Sequence, residues 1–120
     1  MSLKNLPPSM QEKTRYLVFK IRSEQEVGLG SLVDAVWKGI LEFMGELEAS
    51  KADPWIMKEL FDRERQVAGV RVNKDYVAEV RTALALIKSV RSDGQPRLPV
   101  QLYVVGVSGS MEKAREEYMG

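Results

Sequence analysis

The period of the hydrophobic residues changes along the chain, and this change constrains the fold more than any other feature. Residues 14–23, TRYLVFKIRS, place Leu17, Phe19 and Ile21 at every second position, which is typical of a β-strand with a buried face. Residues 31–49 then carry apolar side chains at spacings of three and four, which is typical of an amphipathic helix. The same criterion predicts strands at residues 55–62, 66–72 and 100–107, helices at 74–90 and within 110–120, and a loop at 91–99.

This order of elements, β-α-β-β-α-β followed by a helix, is the split βαβ pattern of ferredoxin-like and RRM-like domains. We therefore expect an α+β fold in which two helices pack on one face of a four-stranded antiparallel sheet. The 120 residues have the size of one domain, so we assign residues 1–120 to one domain, with an extended leader at 1–13. Apolar residues on the other face of the sheet are expected to be covered by the terminal helix or by a partner.

At two positions, residue types that often cap helices predict where a helix begins. Ser31 and Asp34 resemble a capping box, which predicts that the first helix begins at Ser31. Asn73 is a residue type that often caps a helix, which predicts the beginning of the second helix.

The segment at residues 103–118, YVVGVSGSMEKAREEY, has the strand, glycine-rich turn and helix of a phosphate-binding loop. Its glycines are only three residues apart and Lys113 follows the second by four, so neither a Walker motif nor a dinucleotide fingerprint fits. Two hypotheses stay open. Either Ser108 or Ser110 caps the last helix, or backbone N–H groups from Gly109 onward bind an anion.

The chain contains no cysteine and no histidine, which excludes several kinds of site. Disulfides, thiolate nucleophiles, His/Cys zinc sites and histidine-dependent triads are impossible, and no convincing cluster of other catalytic groups is evident, so we predict no catalytic residue. No apolar stretch approaches the ~20 residues that span a bilayer, and no signal-peptide core is present, so we expect a cytoplasmic protein without membrane contact. The acidic residues follow one helix instead of converging, so we predict no metal site. These acids are Asp34, Glu42, Glu46, Glu48 and Asp53.

The net charge of +1 hides a segregation of charge along the chain. Residues 1–23 carry five bases and one acid, and residues 65–105 carry seven bases and three acids, so each segment has a net charge of +4. Residues 24–64 carry four bases and ten acids, a net charge of −6, and residues 106–120 carry two bases and three acids, a net charge of −1. The surface is therefore either of ordinary mixed sign or partitioned between an anionic partner and a protein partner.

Basic residues are the candidates for contact with an anionic partner. Lys74, Arg81 and Lys88 are spaced by seven residues, so they are predicted to share one face of the second helix. Such bases contact phosphates in nucleic-acid complexes, but they also occur on ordinary solvated surfaces. Base stacking on the sheet, as in RRM domains, is not expected, because the third strand has no aromatic residue. The other candidate bases lie around the first strand or before the second helix: Lys13, Arg15, Arg22 and Arg71.

Four segments, in this order and spacing along the chain, resemble one known family. They are residues 6–21, 35–55, 79–87 and 106–114. Their most specific parts are the KxRYxxF pattern at 13–19, GELEASKADPW at 45–55 and VSG at 107–109. Together they resemble the archaeal ribonuclease P protein component 2 family, the Pop-five-type subunit that is shared with eukaryotic ribonuclease P. The resemblance implies a ferredoxin-like fold, in agreement with the pattern of elements.

The resemblance also implies a function. Ribonuclease P removes the 5′ leader from precursor tRNA, and its RNA subunit carries the magnesium-dependent chemistry, so this chain would be a non-catalytic subunit that binds no cofactor itself. It would pair with the TIM-barrel protein subunit as a dimer of heterodimers, join other ribonuclease P protein subunits and stabilise the catalytic half of the RNA. Its contact with precursor tRNA would be indirect. Whether the chain alone is an enzyme stays open.

The resemblance extends the list of expected RNA contacts to the glycine-rich loop. The expected RNA-binding residues are Lys13, Arg15, Arg22, Arg71, Lys74, Arg81, Lys88, Ser108, Gly109 and Ser110. The acidic residues of the terminal helix argue against an RNA-binding tail. Two other functions stay open, a protein–protein adaptor without direct RNA contact and a ferredoxin-like regulatory domain that binds a small ligand.

Overall fold

The computed structural model describes residues 13–92 and 94–119, which form six strands and three α-helices. The strands are β1 (Thr14–Arg22), β2 (Trp55–Ile56), β3 (Val67–Asn73), β4 (Ser89–Val90), β5 (Leu98–Pro99) and β6 (Gln101–Ser108). The helices are α1 (Leu29–Ala52), α2 (Val77–Leu86) and α3 (Met111–Tyr118). The predicted leader lies outside the described residues, apart from Lys13.

Four strands pair into an antiparallel sheet in the order β2-β3-β1-β6, and β4 and β5 form a separate hairpin. β1 lies between β3 and β6, so the first and last strands of the chain pair with each other. α1 and α2 pack on one face of the sheet, and α3 packs on the other. This architecture confirms the predicted ferredoxin-like fold with an added terminal helix.

The main core lies between the sheet and the pair of helices α1 and α2. Leu17 and Phe19 of β1 are fully buried in it, because alternate side chains of a strand point to the same face. Fully burying a side chain of this size stabilises a fold by about 1.5–3 kcal/mol. The helices contribute their apolar stripes, which include Leu32, Val36, Ile40, Val80 and Leu84.

A second, smaller core lies under α3, on the opposite face of the sheet. Val18 of β1 is fully buried there together with Leu60, and Ala114 of α3 packs against them. The end of α3 is held by the guanidinium of Arg65, whose Nη1 donates a hydrogen bond to the backbone oxygen of Met119 at 3.1 Å. The prediction that the terminal helix covers apolar residues on this face is confirmed.

Two glycines make room for this second core. Val18 pairs with Gly69 of β3 on one side and with Gly106 of β6 on the other. A Cβ atom on Gly106 would lie 2.0 Å from the ring of Tyr118, and one on Gly69 would lie 2.5 Å from the side chain of Leu60. The neighbours of Val18 must therefore lack side chains, because Leu60 and Tyr118 occupy that space.

The predicted strand at residues 55–62 is wrong over most of its length. Only Trp55–Ile56 form a strand that pairs with β3. Lys58–Leu60 form a 3₁₀ turn, and Asp62 then makes an isolated bridge to Val67, the first residue of β3. Tertiary contact explains the difference, because the turn is what brings the side chain of Leu60 onto Gly69. The hydrophobic pattern of the segment does not carry that information.

The predicted helix at residues 74–90 is also too long at both ends. Lys74–Tyr76 form a 3₁₀ turn, and α2 ends at Leu86. Ile87 is extended and buried, so that Ser89–Val90 can pair with Leu98–Pro99. The last two residues of the predicted helix and the last two of the predicted loop at 91–99 are therefore the two strands of a β-hairpin, and this backbone pairing explains why the helix ends early.

Of the two local predictions of helix beginnings, the one for α1 is wrong and the one for α2 is confirmed in part. α1 begins before Ser31, with Gly28 as its N-cap, and the Ser31 hydroxyl is hydrogen-bonded to that of Ser92 at 2.7 Å, so the capping box is wrong. Asn73 does act as a cap, since its side-chain oxygen accepts a hydrogen bond from the Asp75 N–H at 3.0 Å. It caps the 3₁₀ turn that leads into α2.

α1 is interrupted near its end. Gly45 has φ 82° and ψ 164°, a backbone conformation that is essentially restricted to glycine, so the axis of the helix breaks there. Despite the length of α1, neither it nor another helix in the described part of the chain has the apolar run that a bilayer crossing demands.

Candidate nucleic-acid interface

The candidate bases fall into two groups, and the first lies at one end of the sheet. Lys13, Arg15, Arg71 and Lys74 form this group, which we call the strand-end cluster. The Lys74 N–H donates to the Lys13 carbonyl at 2.8 Å, and Arg71 lies opposite Tyr16 in the pairing of β3 with β1. The sheet thus brings together four bases from two segments of the chain.

The strand-end cluster reaches both faces of the sheet. Arg71 shares the α3 side with Tyr16, because directly paired residues point the same way. Arg15 is the next residue along β1, so its side chain points to the other face, where its Nη1 donates to the Thr14 carbonyl at 2.8 Å. Lys13 and Lys74 are exposed.

The second group surrounds a groove between α2 and β6, which we call the α2–β6 groove. Arg81, Lys88 and Tyr103 line this groove, whose volume is about 450 Å³. The Arg22 guanidinium lies over the Tyr103 ring, with its Cζ 5.8 Å from the ring centroid, which is within the range of a cation–π contact. Two bases, Arg81 and Lys88, therefore line the groove on the helix side of the sheet. Tyr103 pairs with Lys20, so its ring and the Arg22 guanidinium lie at the same edge on the other face of the sheet.

The prediction that Lys74, Arg81 and Lys88 share one helix face is wrong. Only Arg81 lies in α2, since Lys74 belongs to the preceding 3₁₀ turn and Lys88 follows the helix end. Arg81 and Lys88 still meet at the α2–β6 groove, whereas Lys74 lies in the strand-end cluster. The early end of α2 is the physical reason for this separation.

In the part of the chain that the structure describes, Arg81 and Lys88 of the α2–β6 groove and the neighbouring Arg22 form no close ion pair with an acid. Within the described residues, the ion pairs closer than 4.0 Å are Lys51–Glu48, Arg63–Glu26 and Arg65–Asp62. None of these involves Arg22, Arg81 or Lys88, all of which are exposed. Their charges are therefore available to an anionic ligand.

The loop before α3 uses its hydroxyl groups internally. The Ser110 Oγ accepts a hydrogen bond from the Lys113 N–H at 3.2 Å, so Ser110 caps α3. The buried Ser108 donates from its Oγ to the Ser110 carbonyl at 3.0 Å. Ser108 also pairs with Tyr16 across the sheet, which places the exposed Gly109 at the same end as the strand-end cluster. The capping hypothesis is confirmed, and contact of this loop with RNA stays a prediction.

The acidic residues are distributed differently from the bases. Among residues 13–92 and 94–119, no three carboxylates come together as a group that could hold a metal ion. Glu48 instead accepts a hydrogen bond from the Tyr76 hydroxyl at 2.8 Å, and this hydrogen bond, together with partial burial and the Glu48 charge, raises the pKa of Tyr76 above its usual 10.0.

Tyr103 is the residue of this surface that the sequence did not predict. RRM domains stack bases on aromatic residues of the central strands, whereas Tyr103 lies on the edge strand β6. On the central strands, α3 covers the face where such stacking would occur. The pairing of Tyr103 with Lys20 and its contact with Arg22 depend on the register of β1 and β6.

Comparison with known proteins places the chain in a family. The model of the Rpp14/Pop5 family matches residues 15–119. The chain is 30% identical over 116 residues to ribonuclease P protein component 2 of Pyrococcus furiosus, an alignment that covers 97% of this chain and 91% of the relative. It is 35% identical over 118 residues to the protein of the same name from Methanocaldococcus jannaschii, with 98% and 81% covered.

A solved structure of much lower sequence identity has the same fold. In the cryo-EM structure of yeast ribonuclease MRP, one chain superposes with a TM-score of 0.62 at 12% identity, covering 82% of this chain and 76% of that chain. At this identity the similarity shows a common fold. Because the family model spans nearly all of the described residues, the chain belongs to the Rpp14/Pop5 family, in agreement with the motifs in its sequence.

Proposed function

We propose that this chain is a non-catalytic protein subunit of ribonuclease P, which assists a catalytic RNA in the endonucleolytic removal of the 5′ leader from precursor tRNA. Membership of the Rpp14/Pop5 family supports the proposal, as do the names of the relatives from P. furiosus and M. jannaschii. The protein supplies binding and positive charge, and the RNA supplies the chemistry.

The α2–β6 groove is the observation that carries the RNA-binding part of the proposal. Arg22, Arg81 and Lys88 neutralise phosphates where RNA helices crowd together, and this lowers the magnesium concentration needed for folding and cleavage. In this proposal the magnesium ions are bound by the RNA. The exposed face of Tyr103 offers a stacking surface for an unpaired base.

The strand-end cluster supplies a second contact with the RNA backbone. β1 has nine residues, so its two ends lie roughly 27 Å apart. Bases at both ends, in the strand-end cluster and around Arg22, would brace two backbone segments rather than one. Such a subunit stabilises the catalytic half of the RNA without contacting the scissile bond.

The proposal includes protein partners and a place of action. The chain pairs with the TIM-barrel ribonuclease P subunit as a dimer of heterodimers, joins the other protein subunits, and works in the cytoplasm. The segregation of charge supports a protein partner, because residues 24–64 carry a net charge of −6 and do not suit contact with RNA.

Reconstitution tests this function. Cleavage of a precursor tRNA by the cognate catalytic RNA is measured at limiting magnesium, with the TIM-barrel subunit alone or with this chain added. We expect a large gain in the single-turnover rate only when both proteins are present. The variant Arg81→Gln/Lys88→Gln should lose most of this gain, whereas Lys51→Gln/Lys58→Gln, which removes the same charge from the acidic segment, should keep it.

The possible outcomes separate this function from the alternatives. If the two proteins co-elute but the rate does not rise, the chain is an adaptor without a catalytic effect. If they neither co-elute nor raise the rate, the assignment to ribonuclease P is wrong.

A further inference from the structure

An apolar groove of about 670 Å³ lies between α1 and β2, and we call it the tryptophan groove. It lies at the β2 edge of the sheet, the edge opposite β6. Val36, Ile40 and Val70 are buried at its base. Its walls include Trp37 and Trp55, with 44% and 56% of their surfaces exposed. Large apolar side chains left exposed around a concave surface mark an interaction site.

The charges around the tryptophan groove indicate what it binds. Glu46 and Asp53 line it, and Asp53 Oδ1 accepts a hydrogen bond from Trp55 Nε1 at 2.7 Å, which orients the indole ring. The groove belongs to the acidic segment at residues 24–64. These two carboxylates repel RNA phosphates, and carboxylates beside aromatic rings attract the guanidinium or ammonium group of a protein side chain. On the neighbouring strand β3, Arg71 lies opposite Trp55, outside the lining of the groove.

We propose that the tryptophan groove binds a segment of a protein partner in which an arginine or lysine stands beside apolar side chains. Tryptophan and arginine are among the residues that most often dominate the binding energy of protein interfaces. This chain supplies two tryptophans, and the carboxylates of the groove favour an arginine or lysine on the partner. Resting on the proposed function, we assign this segment to the TIM-barrel ribonuclease P subunit. In this proposal the α2–β6 groove at the β6 edge contacts RNA, and the tryptophan groove at the β2 edge contacts protein.

The two tryptophans of the chain provide a direct probe, because both line the groove. Full-length chain is labelled biosynthetically with fluorotryptophan, so that each tryptophan gives one fluorine NMR resonance, and Trp37→Phe assigns them. Unlabelled TIM-barrel subunit is then added. We expect both resonances to move to new positions on formation of the complex.

Charge variants then test the chemistry of the partner segment. Glu46→Lys/Asp53→Asn reverses the rim charge, while asparagine keeps the left-handed backbone at position 53 and the acceptor for Trp55. We expect the affinity for the TIM-barrel subunit to fall by about tenfold or more, the change that is typical of an interface hot spot. The matched control is Glu64→Lys/Glu59→Gln, which changes the net charge equally outside the groove and should change the affinity by less than about twofold.

Each contrary outcome has a distinct meaning. If wild type does not bind the TIM-barrel subunit, the proposed pairing fails and this inference fails with it. If the complex forms while the fluorine resonances stay in place and the groove variant binds as tightly as wild type, only the position of the contact is wrong. If the resonances move when the chain alone is concentrated, the groove binds a second copy of the chain and the proposal is overturned.

Discussion

The hydrogen bond from Tyr76 to Glu48 connects the turn before α2 with the last part of α1. It raises the pKa of Tyr76, and burial and the negative charge of Glu48 act in the same direction. A raised pKa means that the folded state holds the phenol proton more tightly than the unfolded state does. The stabilisation is therefore fully present below the unfolded pKa of about 10 and is lost as the pH rises through the folded pKa.

Tyr76→Phe tests this link between the helices. We expect the variant to be less stable than wild type at neutral pH and the difference in stability to shrink as the pH rises above about 10. Urea unfolding of both proteins at a series of pH values measures the difference. In a Glu48→Gln background the pH dependence of the difference should be much smaller, and an unchanged dependence there would show that another group is responsible.

At the scale of elements, α3 is the part of the fold that depends most on its neighbours. It has eight residues, which is too short for a helix that is stable by itself. Its cap at Ser110, the contact of Ala114 with Val18 and the fit of Tyr118 over Gly106 hold it to the sheet. Burial in this contact raises the pKa of Tyr118, and the charge of Glu117 adds to the effect.

Gly106→Ala tests the fit of α3 on the sheet. The added methyl group meets the Tyr118 ring, so we expect a loss of about 1–3 kcal/mol in the free energy of unfolding, which is typical of overpacking. In a Tyr118→Ala background the same change should cost much less. Gly30→Ala, whose Cβ has no atom within 4 Å, is the control and should be neutral or stabilising. Equal costs in the two backgrounds would mean that Tyr118 does not lie over Gly106.

At the scale of the whole molecule, the two grooves at the edges of the sheet have opposite charge, and the basic strand-end cluster lies at one end of the sheet, with Arg71 opposite Trp55. The bases of the α2–β6 groove lie at the β6 edge, and the acids of the tryptophan groove lie at the β2 edge. An RNA that approaches this surface is attracted to one edge and repelled from the other. The fold thereby orients the protein on its RNA before any specific contact forms.

Salt dependence tests this orientation. The affinity of the protein pair for the catalytic RNA is measured at several salt concentrations, and each phosphate contact contributes about 0.7–0.9 to the slope of log K against log salt. Arg81→Gln/Lys88→Gln should reduce the slope by about 1.5 if both residues contact phosphates. Lys51→Gln/Lys58→Gln should leave it unchanged. Equal reductions in both variants would indicate a diffuse attraction without a preferred edge.

Much of the fold is predictable from the sequence because it depends on local periodicity. Leu17, Phe19 and Ile21 are buried as their spacing predicts, and the order of the four sheet strands and three helices, as well as the family, follows from the sequence pattern. The predictions that are wrong concern segments whose conformation depends on a distant contact. Residues 58–60 turn because Leu60 fits over Gly69, and α2 ends early because Ser89–Val90 pair with Leu98–Pro99.

The sequence by itself determined which residues carry charge, which faces are apolar and which family the chain belongs to. Only the tertiary structure decided which of these residues meet. It separated Lys74 from Arg81 and Lys88, and it brought Trp37 and Trp55 to the walls of one groove. The physical reason is that side-chain periodicity is set within a few residues of the chain, whereas a site is formed by the packing of elements that are distant in sequence.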